Sequence, residues 1–267
     1  MLYTEFTSFI FVRRIIVYYR SFAKSVQLLM KIQKKAVLII VLSVWFVKPV
    51  LAQSQHSGWV ALATSVQPKK TQWGFTFDAQ FRSSNGYEKL QQFVLRPGIS
   101  YKINNHLKTG LGYAYASNHV IIDGENDRVD EHRIWEQLII NHKAGRVTFN
   151  HRFRLEQRWI SSVAAPDDYK SQQRFRYYVR GVLPFRKDSS FVKGFYGAFQ
   201  EEIMFNYINK ETTNNSFFDQ NRAYAAIGYR INHVIDVEAG YMNQLVKQKS
   251  GSTLVNNIIH VVLNTRF

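Results

Sequence analysis

Cysteine is missing altogether from this sequence of 267 residues. Its absence excludes disulfides, thiolate metal sites, a cysteine nucleophile and a lipid-modified N-terminal cysteine. The longest apolar block, Ala36 to Val47, falls short of the roughly 20 residues that a membrane-crossing helix needs. With a mean hydropathy of −0.25, a bundle of membrane helices is excluded as well. The region after residue 52 keeps no sustained apolar period of 3.6, so no helix is expected there. It has no low-complexity linker, which argues for one domain. Gly-x-Ser-x-Gly elbows and metal-spaced histidine pairs with a carboxylate are also lacking.

Aromatic residues and positive charge are what the chain has in quantity. Aromatics reach 15%, with 20 Phe and 15 Tyr, and the formal net charge is +16. The segment from Met30 (MKIQKKAVLIIVLSVWFVKPVLAQ) accounts for part of that charge. Lys31, Lys34 and Lys35 precede the apolar block, and Val50-Leu51-Ala52 supplies a small residue at the cleavage position. This is the pattern of a signal peptide over 30–52. Residues 1–29 are read as a mis-annotated upstream segment, with translation beginning at Met30; the other reading is that Ile10 to Tyr19 extends the basic region. Cleavage after Ala52 leaves 27 basic and 18 acidic residues over 53–267, a smaller excess of +9. An exported chain without a nucleic-acid motif has no nucleic-acid partner in this reading.

From residue 53 onward, short segments alternate in polarity between clusters of Gly, Asn, Asp, Lys and Ser. Neighbouring side chains on a strand point to opposite faces, so such alternation marks strands. Trp73, Phe75, Phe77, Ala79 and Phe81 oppose Gly74, Thr76, Asp78, Gln80 and Arg82. Phe153, Leu155 and Trp159 oppose Arg152, Arg154, Glu156 and Arg158. Phe175, Tyr177 and Val179 oppose Arg174, Arg176 and Arg180. Polar faces this dense in arginine suit a lumen whose charges need partners, and aromatic faces suit lipid. Short turns (68–71, 104–106, 143–145, 186–190, 232–234) alternate with longer links (118–130, 160–173, 207–217, 246–255), as in outer-membrane barrels.

The expected fold is therefore all-β: a single antiparallel up-and-down transmembrane β-barrel of about 10–12 strands. Ten strands are clear between Gln72 and Phe267, and Gly58 to Gln67 looks like an eleventh, joined by a short turn. An odd total leaves the N-terminus outside, so either this segment lies inside the barrel or along its rim, or a weak twelfth strand is hidden. The chain ends on Ile259, Val261, Leu263, Thr265 and Phe267 at alternate positions. That ending resembles the C-terminal signal of barrels inserted by the bacterial assembly machinery. The lipid bilayer, lipopolysaccharide and that machinery are the expected partners, and the outer membrane the expected location.

Five segments carry a resemblance: ENDRVDEHRIWEQL (125–138), RFRLEQRW (152–159), RFRYYVRGVLPF (174–185), FDQNRAYAAIGYRI (218–231) and VEAGYMNQ (237–244). They resemble an uncharacterised family of the domain-of-unknown-function series, DUF2490, regarded as an outer-membrane barrel. The resemblance implies architecture and location, and no activity.

The candidate site is a lumenal charge network of Arg82, Arg96, Arg133, Arg152, Arg154, Glu156, Arg158, Arg174, Arg176, Arg180, Glu202, Arg222 and Glu238, with His260 also pointing inward. Asp78 and Glu131 share that face. A barrel of about ten strands is only slightly wider than one that side chains fill. The network therefore reads as a structural plug, with a narrow path or pocket for anions as the functional alternative. The other function class is an outer-membrane lipid-modifying enzyme, a hydrolase or acyltransferase. It would need a serine such as Ser161 or Ser162 beside one of the outward histidines His132, His142 and His151. No catalytic residue, metal site or cofactor is assigned. The acidic segment from Asp123 to Glu131 lacks regular calcium-loop spacing and is read as a solvated loop. Lys69 and Lys70 are read as a turn at the periplasmic rim.

Overall fold

A computed structural model describes residues 54–83, 89–122, 125–186 and 191–267 of the chain. The leader over 30–52, the upstream segment 1–29, and Asp123 and Gly124 of the acidic segment lie outside the described residues. Alternation of side chains becomes a wall here. Eleven strands, β1 (Ser54–Val66), β2 (Trp73–Ser83), β3 (Leu90–Lys102), β4 (Leu107–Ile122), β5 (Glu125–Ala144), β6 (Val147–Ser162), β7 (Ala165–Pro184), β8 (Gly194–Ile208), β9 (Phe218–Arg230), β10 (Ile235–Lys247) and β11 (Thr253–Arg266), close into one barrel. The helical content among the described residues is one 3₁₀ turn, Lys210–Thr212.

Each strand runs antiparallel to its chain neighbours, and the ring closes where β1 meets β11 in parallel, from Ser54 beside Val255 to Ser65 beside Arg266. An odd ring forces this, because strict up-and-down alternation closes antiparallel only when the count is even. The seam is fastened by side chains as well. Ser57 Oγ donates to Asn256 Oδ1 at 2.9 Å, and Thr265 Oγ1 to Thr64 Oγ1 at 2.8 Å. At the end of the seam the Phe267 amide donates to Ser65 O and the Gln67 amide to Phe267 O. The segment 58–67, read as an eleventh strand and left inside the barrel, on its rim or beside a hidden twelfth, thus lies in the wall as β1 up to Val66. Its inward face, Ser57, Trp59, Ala61 and Ala63, is mostly small, so its alternation is muted.

Two of the expected long links are also strand. β4 and β5 pair to Ile122 and Glu125, leaving 123–124 between them. β6 and β7 pair to Ser162 and Ala165, leaving 163–164. Residues 166–171 on this hairpin are exposed on both faces, and a strand with water on both sides has no polarity alternation to read. The long connection 209–217 remains. The lower rim of the barrel is the end carrying Phe267 and the connections 67–72, 103–106, 145–146 and 231–234; the upper rim is the end where β1 begins. The tight lower turn between β5 and β6 uses Gly145 at φ 59°, a left-handed conformation cheap only for glycine.

Register fixes the tilt. Starting from Ala61 and stepping through paired residues, one direction passes Gln80, Val94, Ala116, Glu131 and Ile160 to Lys170 on β7. The other passes Val262, Glu238, Gly228 and Tyr196 to Pro184, also on β7. The two routes meet 14 residues apart. That stagger on eleven strands corresponds to a tilt of about 40° and a backbone radius of about 11 Å, using a rise near 3.3 Å and a strand spacing near 4.8 Å.

Polarity is reversed relative to a globule. Outward positions are apolar and exposed: Trp73 53%, Phe75 58%, Phe195 56%, Ile227 60%, Ile259 50%. Aromatic pairs cluster toward both ends of this surface. Trp73 packs against Tyr101 and Phe195 against Tyr229 near the lower rim. Phe81 with Phe93, Tyr115 with His132, and Phe205 with Phe217 lie nearer the upper rim. The interior holds Arg133, Arg154, Arg158, Arg174, Arg176, Glu131, Glu156, Glu202 and Glu238, all buried.

Candidate functional site

Every charged residue expected in the lumen points there, because each sits at an inward position of its strand. The carboxylates act as nodes, each gathering two or more arginines or chelating one. Toward the upper rim, Glu131 on β5 accepts from Arg133 Nε (2.6 Å) and Nη2 (2.7 Å), and also from Arg158 Nε and Nη2. In the middle, Glu156 on β6 accepts from Arg174 Nη2 (2.7 Å) and Arg176 Nη1 (2.6 Å). Glu202 on β8 accepts from Arg152 Nη2 (2.7 Å) and Arg176 Nη2 (2.6 Å). Lower down, Glu238 on β10 chelates Arg180 at 3.1 and 2.5 Å, and Asp78 on β2 accepts from Arg96 Nε and Nη2. Paired, planar, charge-assisted bonds of this kind are the strong ones.

Four network members are missing from the candidate set: Asp219, Arg230, Asp236 and Arg266. Asp219 accepts from Arg174 Nη1 at 2.7 Å. It sits where the β8–β9 register skips, Met204 facing Gln220 and Phe205 facing Phe218, so it is an extra residue turned inward by a bulge. Alternation counted along β9 assigns it the wrong face. Near the lower rim, Asp236 holds Arg230 at 3.0 Å and Arg266 at 2.5 Å. Asp236 was legible as a polar alternate of β10, but its partners lie at the last positions of β9 and β11, where strand ends are hardest to place.

Neutral side chains complete the packing. Trp135 lies flat against the wall with Arg154 over its ring at 4.5 Å, and a Cβ added at Gly98 or Gly112 would come within 2.5 Å of it. Those two glycines make room for an indole inside the barrel. Trp59 is buried and carries two guanidiniums, Arg82 at 4.0 Å and Arg222 at 5.0 Å from its ring centre. His260 stands edge-on to Trp59 and 5.4 Å from the Tyr224 ring.

Trp59, Arg96, Arg176 and Arg222 form a waist shared by two cavities, a lower one of about 300 Å³ and an upper one of about 410 Å³. The two differ in charge. The lower cavity sets Arg96, Arg152, Arg176, Arg180 and Arg222 against Asp78, Glu202 and Glu238. The upper is lined by Arg82, Arg96, Arg133, Arg158, Arg174, Arg176 and Arg222, with Glu131 as its lining carboxylate.

On the outward face the histidines take tyrosines as partners. His132 meets the Tyr113 hydroxyl, and His151 Nδ1 lies 2.9 Å from the Tyr177 hydroxyl, with His142 stacked on His151. Ser161 Oγ accepts from the Asp130 amide and Ser162 Oγ from the Ala165 amide. Among the described residues, Ser161 and Ser162 are not brought to any of these histidines.

A closed all-β barrel with charge inside and apolar surface outside defines the class of protein. Within that class, the chain belongs to the family described as a protein of unknown function, DUF2490, whose match covers residues 56–255. An uncharacterized protein of Methylorubrum extorquens strain AM1 is similar: 28% identical over 193 residues, covering 71% of this chain and 79% of that protein. No solved structure matches the chain significantly.

Proposed function

We propose that this protein is an outer-membrane β-barrel of a Gram-negative bacterium, exported through the signal peptide at 30–52. In this reading its lumen is closed at the waist by an arginine–carboxylate network. The observation that carries it is the reversed polarity of the wall. Soluble monomers rarely expose contiguous apolar patches beyond a few hundred Å². Here apolar side chains occupy the outward positions of successive strands, while buried charge fills the inside. In lipid, a closed barrel is also the strand arrangement that leaves no unpaired backbone edge. From Trp73 to Phe81 the outward face of β2 rises about 20 Å at a 40° tilt, close to the roughly 25 Å apolar band of transmembrane barrels.

The role that follows is structural, with small-solute exchange limited to what the waist admits. The upper rim, bearing the extended β4–β5 and β6–β7 hairpins, faces outward, and Phe267 lies on the periplasmic side. Lipid and lipopolysaccharide then contact the aromatic ends of the wall, and the assembly machinery reads β11.

The test is location and folding together. Expressed with its leader in a Gram-negative host, the chain should partition with the outer membrane and resist alkaline and urea washing. It should also run at different positions on a gel with and without boiling. Recovery in the soluble periplasm, or release by urea, would overturn the reading.

A further inference from the structure

The upper cavity keeps an excess of positive charge that the barrel's own groups do not neutralise. Of its lining arginines, Arg133 and Arg158 share Glu131, and Arg96, Arg174 and Arg176 hydrogen-bond to Asp78, Glu156, Asp219 and Glu202, none of which lines this cavity. Arg82 and Arg222 differ. Arg82 donates to the side-chain oxygens of Gln80 and Gln92. Arg222 donates to Gln220 Oε1 at 3.2 and 2.9 Å. Its one ion pair among the described residues is a long one, 3.7 Å, to Glu202, a carboxylate already held at 2.7 and 2.6 Å by Arg152 and Arg176.

Amide oxygens orient a guanidinium without neutralising it. Both groups also lie over Trp59, so their central carbons are no farther apart than the sum of 4.0 and 5.0 Å. Two cations held this close inside a protein repel far more than they would in bulk water. An anion in the cavity that both groups line offsets the repulsion and meets guanidinium donors that match a carboxylate or a phosphate. The cavity, about 410 Å³, reaches the strand ends at Gln55, Val120 and Leu254, and its size suits a small metabolite.

We infer that the upper cavity is a binding site for a small solute carrying an oxyanion group, seated at the cavity floor against Arg82 and Arg222. The inference rests on the membrane-barrel reading and deepens it by naming the chemistry of the ligand.

The test is calorimetric titration of the full chain in detergent micelles. Sodium phosphate and sodium acetate are compared with sodium chloride at equal ionic strength. Saturable binding of phosphate or acetate, not reproduced by chloride, is expected, and the Arg82→Gln/Arg222→Gln double variant should weaken it at least tenfold. The double variant leaves Glu202 its bonds to Arg152 and Arg176, so no carboxylate is orphaned; if it fails to fold, Arg82→Gln alone is read the same way. Tighter phosphate assigns a phosphorylated solute, tighter acetate a carboxylated one, and either supports the site. Heats equal to those of chloride, or a variant that binds like the parent, overturn it. If the chain shows the gel shift on boiling but binds neither anion, this inference falls alone. If it shows no such shift, the barrel reading falls and takes the site with it.

Discussion

Glu156 is 1% exposed at its side chain and holds Arg174 and Arg176 at once. Making this carboxylate neutral leaves Arg174 with Asp219 and Arg176 with Glu202 as their remaining carboxylates. Breaking a buried pair outright costs about 3–5 kcal/mol, and the retained partners keep the loss within that ceiling. Arg128 also makes an ion pair, to Asp130 at 3.1 Å, but its side chain is 62% exposed; such a pair contributes less than about 1 kcal/mol. Urea unfolding of the barrel in lipid vesicles should therefore separate the two changes. Glu156→Gln is expected to lower the midpoint strongly and Arg128→Gln scarcely at all; equal effects would mean the network contributes nothing to holding the wall. The inward arginines of β2 to β9, apart from Arg230 at the end of β9, were legible residue by residue, because an arginine that alternates with apolar residues along a strand has one face to point to. Their partner Asp219 was not, since a bulge shifts parity by one and leaves no mark in polarity. Nor did the pattern distinguish arginines bonded to carboxylates from Arg82 and Arg222. That division depends on which residues meet across strands far apart in the chain.

At the scale of the strand, β1 decides whether the wall is a ring. It pairs with β2 on one side and β11 on the other; without it the sheet has two open edges, and in lipid each unpaired backbone group costs several kcal/mol. Deleting residues 54–66 should abolish the gel shift between boiled and unboiled samples and leave aggregated chain. A deletion variant that still folds and inserts would show that the parallel seam is dispensable. Strand existence was largely readable from alternation, as in β2 and β6, where aromatic and arginine faces are unmixed. Existence failed where both faces meet water, as at residues 166–171 of β7, and placement failed for β1, whose inward face lacks bulk. The odd strand number was legible only as a conflict, ten clear strands plus one with no stated place. The parallel pairing that resolves it is a property of closure and belongs to no single strand.

The whole molecule combines a tilted, closed wall with a side-chain waist. Eleven strands staggered by 14 residues leave a lumen wider than the eight-strand size that side chains just fill. Long arginines and two indoles take up the difference, which is why the interior divides into two cavities around Trp59. The tryptophans report on both sides of this wall. Trp73 and Trp159 occupy outward positions, whereas Trp59 and Trp135 are buried in the lumen. The most direct measurement is quenching of single-tryptophan variants in vesicles made with brominated acyl chains. Strong quenching of Trp73 and Trp159, with Trp59 and Trp135 nearly untouched, is the predicted result. Equal quenching at all four positions, or none at Trp73 and Trp159, would contradict a barrel that turns its apolar face to lipid and its charges inward.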